Sequence, residues 1–370
     1  MPFPVGTSPG KIALVVPSSS TVCSTRVLVT VVVMVLLIAG CTDRGVSVAE
    51  SSSPRAGLSV GSSGSDTSPS SSASGAPTPR PAGLPSLAIG TADHRRSLVL
   101  VDTTNGRIVR SLATSVDLDS GLTRPQLSPD GFAYFQQGYP GDSGADLRRV
   151  TVDTPGEPET LIRNGAAYTL SHDGQRFAYV PYIYTPSDPT PASVVIHDLR
   201  TGTDRSWSVG PNAQPRVFIN GLAWSPDNTT LAVGVASSDQ NGPRGGTALL
   251  DVTSISGRVP EPTISGLRPQ LWLDERQLVF NDTPCCGAGA IVLRVHDVQT
   301  GTETDLLNAT PTTPLTYLST VTVDETSKWL LLAGTSSETD STPFTAVFGP
   351  LDGDARLVEL ADLGLLEGDW

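Results

Sequence analysis

Residues Gly221 to Val235 read G-L-A-W-S-P-D-N-T-T-L-A-V-G-V, and weaker copies of this stretch recur before and after it. A short apolar run, Leu222 to Trp224, meets Ser225-Pro226-Asp227-Asn228, after which residues alternate through Leu231, Val233 and Val235. Proline presets φ for a turn, the aspartate side chain closes the turn on the backbone, and a period of two belongs to a strand. The unit is therefore strand, tight turn, strand. Copies stand at Gln126 to Gly131 before Phe132, and at Thr169 to Gly174 before Phe177. Two degenerate ones, Leu271 to Glu275 and Val321 to Glu325, have lost the proline and glycine.

A second signature follows each hairpin: an apolar strand ending in Asp, a turn rich in Thr or Gly, and another strand. It occurs at Leu98 to Gly106, Val150 to Gly156, Val194 to Gly202, Ala248 to Gly257, Val292 to Gly301 and, loosely, Ala346 to Gly353, which makes six copies. Repeats of roughly 40 to 50 residues with four short strands each make propeller blades, whose sheets stack radially and bury both faces. The pattern predicts an all-β chain with a six-bladed β-propeller over residues 86–370.

The S-P-D-G hairpins resemble the repeats of TolB-type and WD-repeat-like propellers, and Ser97 to Ser111 is similar to the YVTN-type repeat. TolB-type propellers engage other envelope proteins, so the resemblance implies a protein partner. It transfers no contact residue, because propellers host many unrelated activities. The first blade begins with Leu87-Ala88-Ile89-Gly90, which lacks an S-P-D-G partner, whereas the chain end has a spare apolar piece, Leu363 to Leu366, followed by Glu367-Gly368. The C-terminal segment is expected to supply the missing strand and so remove an open sheet edge.

Upstream of the repeats the composition changes twice. After Arg26 an uninterrupted apolar run extends from Val27 to Ala39 and ends at Gly40-Cys41. A cation, an apolar core of this length and a small-residue site make a secretory signal, whereas a spanning helix needs about 20 apolar residues. Leu37 to Cys41 resembles the bacterial lipobox. That resemblance implies lipidation of Cys41, a signal peptide over 1–40 and a site on the extracytoplasmic side of the cell membrane. Residues 41–85 are dominated by Ser, Gly, Pro, Thr and Ala, too poor in apolar surface to offset ordering entropy, and are expected to be a flexible tether.

The chain carries a net charge of −13, and its leader holds only two cations, Lys11 and Arg26, and no acid. The remainder is thus still more acidic and repels phosphate backbones, which argues against nucleic-acid binding.

Motifs that would carry chemistry are weak. Gly57 to Gly61 matches G-x-S-x-G, but it sits in the Ser-rich tether with no strand before it, where no nucleophile elbow can form. Gly287-Ala288-Gly289 precedes a strand instead of a helix and lacks the third glycine of a dinucleotide loop. His197 and His296 occupy matching repeat positions, and the aspartates that recur in each blade read as turn caps. No catalytic group, metal site or cofactor is expected. Cys285 and Cys286 are adjacent in a chain expected to be exported, so a bond between neighbours, a bond between molecules and free thiols all stay open.

The two repeated turns share one end of every sheet. The connections at the other end are long and unlike one another: Gln136 to Asp146, Pro181 to Pro191, Ala236 to Gly246, Asn281 to Gly289 and Thr335 to Pro343, with Arg124, Asn212 and Asn220 in neighbouring connections. Variable loops on a rigid scaffold are where recognition is placed. Tyr139, Tyr182, Tyr184, Asp188, Arg244 and Asp282 are the candidate partner-binding residues. The expected function is that of a monomeric, lipid-anchored, non-catalytic module that binds an envelope protein or cell-wall component. The rivals are a propeller-class hydrolase, either a lactonase or a glycan-active enzyme, and an extracytoplasmic sensor subunit.

Overall fold

The computed structural model describes residues 80–370 apart from 117–119, 139–143, 183–191, 211–215, 240–241, 256, 267, 284–289, 314, 337–341 and 361. Of residues 216, 237–239 and 242–244 it describes the backbone alone. These residues fall within one compact unit, Ala73–Trp370. The expected signal peptide, Cys41 and most of the expected tether lie outside the described residues.

Every regular element among the described residues is a strand. The first group is β1 (Leu87–Ala92), β2 (Ser97–Asp102) and β3 (Arg107–Thr114). The second is β4 (Leu122–Leu127), β5 (Phe132–Gln137), β6 (Ala145–Thr151) and the first half of β7 (Glu159–Leu170). The second half of β7 opens the third group, with β8 (Arg176–Pro181), β9 (Ser193–Asp198) and β10 (Thr203–Ser208). Asn164 is left-handed at φ 58° and the register shifts just beyond it, so the chain bends between two sheets without breaking into two strands.

The fourth group is β11 (Arg216–Trp224), β12 (Thr230–Asp239) and β13 (Gly242–Asp251), followed by the short β14 (Gly257–Arg258). The fifth is β15 (Pro269–Trp272), β16 (Gln277–Asn281), β17 (Ile291–Asp297) and β18 (Glu303–Ala309). The sixth is β19 (Tyr317–Val323), β20 (Leu330–Thr335), β21 (Pro343–Gly349) and β22 (Arg356–Glu359). Last comes β23 (Glu367–Asp369), which pairs antiparallel with β1 through Ile89, Gly90 and Thr91. The C-terminal residues thus complete the first sheet.

Two features depart from the repeat. The strand expected after Asp251 does not join its own sheet: β14 crosses to β10 and pairs with it in parallel, and only a Thr247 to Ile264 bridge takes the fourth place. Within the stretch expected as an irregular loop, residues 236–239 and 242–246 instead form a ladder, in which β12 and β13 pair as far as Asp239 and Gly242. Glycine explains this, because a Cβ on Gly245 would lie 2.0 Å from the Val235 carbonyl oxygen, so only glycine lets the two backbones approach.

Six apolar clusters hold the sheets together, and each joins two consecutive groups. Ile89 and Leu98 meet Leu122 and Phe135, and Tyr134 and Leu147 meet Tyr168 and Phe177. Trp207 and Trp224 share one cluster, Ala223 and Trp272 another, and Leu293 and Leu332 a third. Leu331 meets Val99 and so joins the last group to the first. Burying each large apolar side chain contributes about 1.5–3 kcal/mol, which is why both faces of these strands read apolar.

The strands β4, β7, β11, β15, β19 and β23 lie innermost, each touching the next, and β23 touches β4. Their open edges are stitched at one level. The Leu127 N–H donates to the Asp369 carboxylate at 2.8 Å, and the Leu170 N–H to Gln126 Oε1 at 2.8 Å. The indoles of Trp224 and Trp272 donate to the carbonyls of Thr169 and Ala223 at 3.1 and 3.2 Å. In each case the donor is the last residue or last but one before the turn of one sheet, and the acceptor sits on the preceding inner strand.

Candidate functional site

At the short-turn end the recurring aspartates and serines are already engaged. Ser128, Ser171 and Ser225 donate to Asp130, Asp173 and Asp227. Asp274 and Asp324 accept backbone N–H groups in the same way although proline and glycine are gone. The second turn repeats this logic: Thr104 lowers the pKa of Asp102 through its hydroxyl, a backbone N–H at Thr201 lowers that of Asp198, and Thr253 does the same for Asp251. These aspartates are ionised caps.

The histidines occupy equivalent places too. His197 lies opposite Asp204 with Nδ1 to carboxylate at 2.7 Å, and His296 lies opposite Glu303 at 3.5 Å, each on the third strand of its sheet facing the fourth. Each also packs against a second-strand phenylalanine, Phe177 and Phe280. Among the described residues no three His, Cys, Asp or Glu side chains gather as a metal site.

Of the residues expected at the opposite end, Tyr139, Tyr184, Asp188, Cys285 and Cys286 lie outside the described residues, as does the side chain of Arg244. Tyr182 is half-buried and donates its backbone N–H to Asn164 at 2.8 Å. Asp282 is ion-paired with Arg294, whose other nitrogen reaches Glu303 at 3.1 Å, while Ser265 donates to Glu303 at 2.9 Å. Asp282 therefore belongs to a local charge cluster beside Phe280 and His296, and its carboxylate is already held.

The same end carries a group that has no motif in the sequence. The connection between β1 and β2 is short and places Asp93, His94 and Arg95 at φ 51°, 56° and 66°, three successive left-handed residues. Arg124, directly before Pro125, is left-handed at φ 52°. Each such residue costs about 1–3 kcal/mol and persists only where its surroundings hold it. For Arg124 the holders are visible: its N–H donates to Glu367 on β23, and its carbonyl accepts the Tyr168 hydroxyl from β7. Arg95 Nη2 reaches the other Glu367 oxygen at 3.2 Å.

Burial raises the pKa of Glu367, opposed by the Arg95 charge, by the Arg124 N–H and by the Arg124 charge. Asp369, two residues on and facing the same sheet, is pushed up to about 6 by burial, opposed by the Leu127 N–H. Burial holds the Tyr168 phenol well above its ordinary value, so it remains a donor. Both carboxylates are committed to β4 backbone donors, as structural acceptors are. The guanidinium of Arg124 is different: it is exposed and has no hydrogen-bond or ion-pair partner among the described residues. Two half-exposed aromatic residues, Phe218 on β11 and Tyr317 on β19, lie toward the same end of the inner strands.

No protein-family model matches the chain, and no curated protein matches it. Among solved structures it is similar to TolB from Acinetobacter baumannii, at 14% identity and a TM-score of 0.53, over 77% of this chain and 65% of that one. It is also similar to a puromycin hydrolase, at 22% identity and a TM-score of 0.44 over 75% of this chain and 44% of that one. A third is the β-propeller domain of the Trilobed protease from Pyrococcus furiosus, at 15% identity and a TM-score of 0.39 over 66% and 72%. The chain thus spans about two thirds of the TolB chain. Likeness at this identity shows the fold alone, a β-propeller of the kind found in TolB.

Proposed function

We propose that this chain is an exported, six-bladed propeller, anchored to the outer side of a bacterial plasma membrane by lipid on Cys41, that binds an envelope protein without catalysing a reaction. Residues 41–85 give it reach from the bilayer, and the ring presents its long-connection end to the partner. The observation that carries this reading is the inequality of the two ends. The recurring turn-end aspartates and serines are spent on capping, whereas the opposite end combines divergent connections, half-exposed aromatic side chains and an Arg124 guanidinium with no hydrogen-bond or ion-pair partner among the described residues.

A hydrolase would need a carboxylate or histidine free to move a proton. The acids outside the repeat positions that lie at the inner strands, Glu367 and Asp369, each accept a β4 backbone N–H, and that favours the binding module. The test is capture of partner proteins by the full chain in membranes of the source cell. Joint alanine substitution of Tyr139, Tyr182 and Tyr184 is expected to reduce capture. Unchanged capture by that variant would reject these connections as the binding site.

A further inference from the structure

We propose that residues 80–86 form a strap that locks the segment delivering β23, and that through Glu367 this strap also orders the Arg124 connection at the opposite end of the sheets. The device belongs to the body of the protein and holds whether or not the long-connection end binds a partner.

The described chain begins at Arg80, ahead of β1, and this residue is held by one far along the sequence. Arg80 Nη2 donates to both carboxylate oxygens of Asp362 at 2.7 Å, and the Arg80 side chain is only 13% exposed. A charge-assisted bond from a mostly buried guanidinium holds more firmly than an exposed ion pair. Leu84 packs against the apolar cluster that contains Trp329, Leu360, Leu363 and Leu365. Thr103, fully buried after β2, donates its hydroxyl to the Pro85 carbonyl and its N–H to the Ser86 carbonyl at 3.0 Å. The strap is thus fixed to the β2–β3 turn on one side and to Asp362 on the other. Pro81 and Pro85 restrict φ along it, so ordering these residues loses less entropy.

Asp362 is itself closely seated. A Cβ on Gly106, left-handed at φ 71°, would stand 2.9 Å from the Asp362 carbonyl oxygen. Beyond it, the Leu366 N–H donates to the Thr91 carbonyl at 3.0 Å and β23 begins. Only three residues of β23 pair with β1, so the strand relies on the segment that leads into it. Glu367 on β23 accepts the N–H of the left-handed Arg124, and Gly368 donates to the Thr320 hydroxyl at 3.1 Å. Contacts therefore run from Arg80 to Asp362, along four intervening residues to Glu367, and on to Arg124. Adjacency alone is not coupling, which has to be measured.

Amide hydrogen exchange on the full chain reads the strap directly. Arg80→Ala is expected to speed exchange of residues 363–369 and of the Arg124 amide about fivefold or more, with β9 amides unchanged. Asp362→Ala should match it, Arg80→Lys should be intermediate, and the double alanine variant should add nothing to either single one. Unchanged exchange at 363–369 in Arg80→Ala, or additive effects in the double variant, would overturn the strap. Equal acceleration in β9 would also overturn it, because the loosening would then be general. Faster exchange at 363–369 with the Arg124 amide at its wild-type rate would overturn the link to the opposite end.

Discussion

The indole N–H of Trp224 donates to the carbonyl oxygen of Thr169 at 3.1 Å, across the boundary between two sheets. Trp272 repeats the bond one boundary further on, to Ala223 at 3.2 Å. Both indoles are buried, and each satisfies a carbonyl on the open edge of an inner strand. Trp224→Phe and Trp272→Phe should keep most of the apolar packing and lose the bond, at a cost of about 1–2 kcal/mol each in urea unfolding. Equal stability of the phenylalanine variants would show that the bonds do not fasten the ring.

The acids of this protein should give it a stability maximum in mildly acidic solution. Asp102, Asp198, Asp227, Asp251 and Asp297 have lowered pKa values, held down by turn hydroxyls and N–H groups. Their contribution is present above the ordinary carboxylate range and is lost as pH falls through the depressed values. Asp369 works in the opposite direction, because burial raises it to about 6. Its contribution is full below the unfolded pKa of about 3.9 and is lost as pH rises through its folded value. The thermal midpoint is therefore expected to peak near about pH 4–5. Asp369→Asn should flatten the upper limb and stabilise the protein at pH 8, by up to about 3 kcal/mol. A variant less stable than wild type at pH 8 would contradict the assignment.

The C-terminal strand should be indispensable. A Cβ on Gly90 would stand 2.6 Å from Leu365 Cδ2 and 2.8 Å from the Glu367 carbonyl oxygen. Gly90→Val should therefore displace β23 and strip the partners from the Arg124 and Leu127 N–H groups, each a loss of about 1–3 kcal/mol. Removal of residues 367–370 is expected to have the same effect, read as loss of the cooperative unfolding transition. A normal transition in the truncated protein would show that the ring does not depend on its last strand.

Lipidation is tested at the cysteine that ends the apolar leader. Cys41→Ser should move the protein from the membrane fraction to the soluble fraction, and the intact mass of the wild type should begin at residue 41 with acyl chains added. One chain binds a bilayer only reversibly, so stable retention implies two or more. Membrane retention of the serine variant, with an unprocessed leader, would replace the lipid anchor with a helical one.

The repeat was legible because its information is local. A Ser-Pro-Asp turn announces itself through φ and side-chain chemistry, and even Asp274 and Asp324, without proline or glycine, keep the capping bonds. What the sequence hid depends on distant partners. The β14 crossover follows from an edge on β10 that lies far back in the chain, and residues 236–239 and 242–246 form a ladder because glycine permits close approach, where they had read as loop. Glu367 and Asp369 sit in a short E-G-D stretch that has no signature until β4 is beside it. Asp282, an expected recognition residue, turns out to be held by Arg294, a partner set by strand register and invisible in spacing.

The account's central claim is that the partner meets the long-connection end. Its most direct test places a photocrosslinking residue at Tyr317, on that end, or at Asp130, in a turn of the other, in full-length protein in membranes of the source cell. The account predicts a discrete crosslinked adduct from position 317 and none from position 130. An adduct from 130 with none from 317 would contradict it.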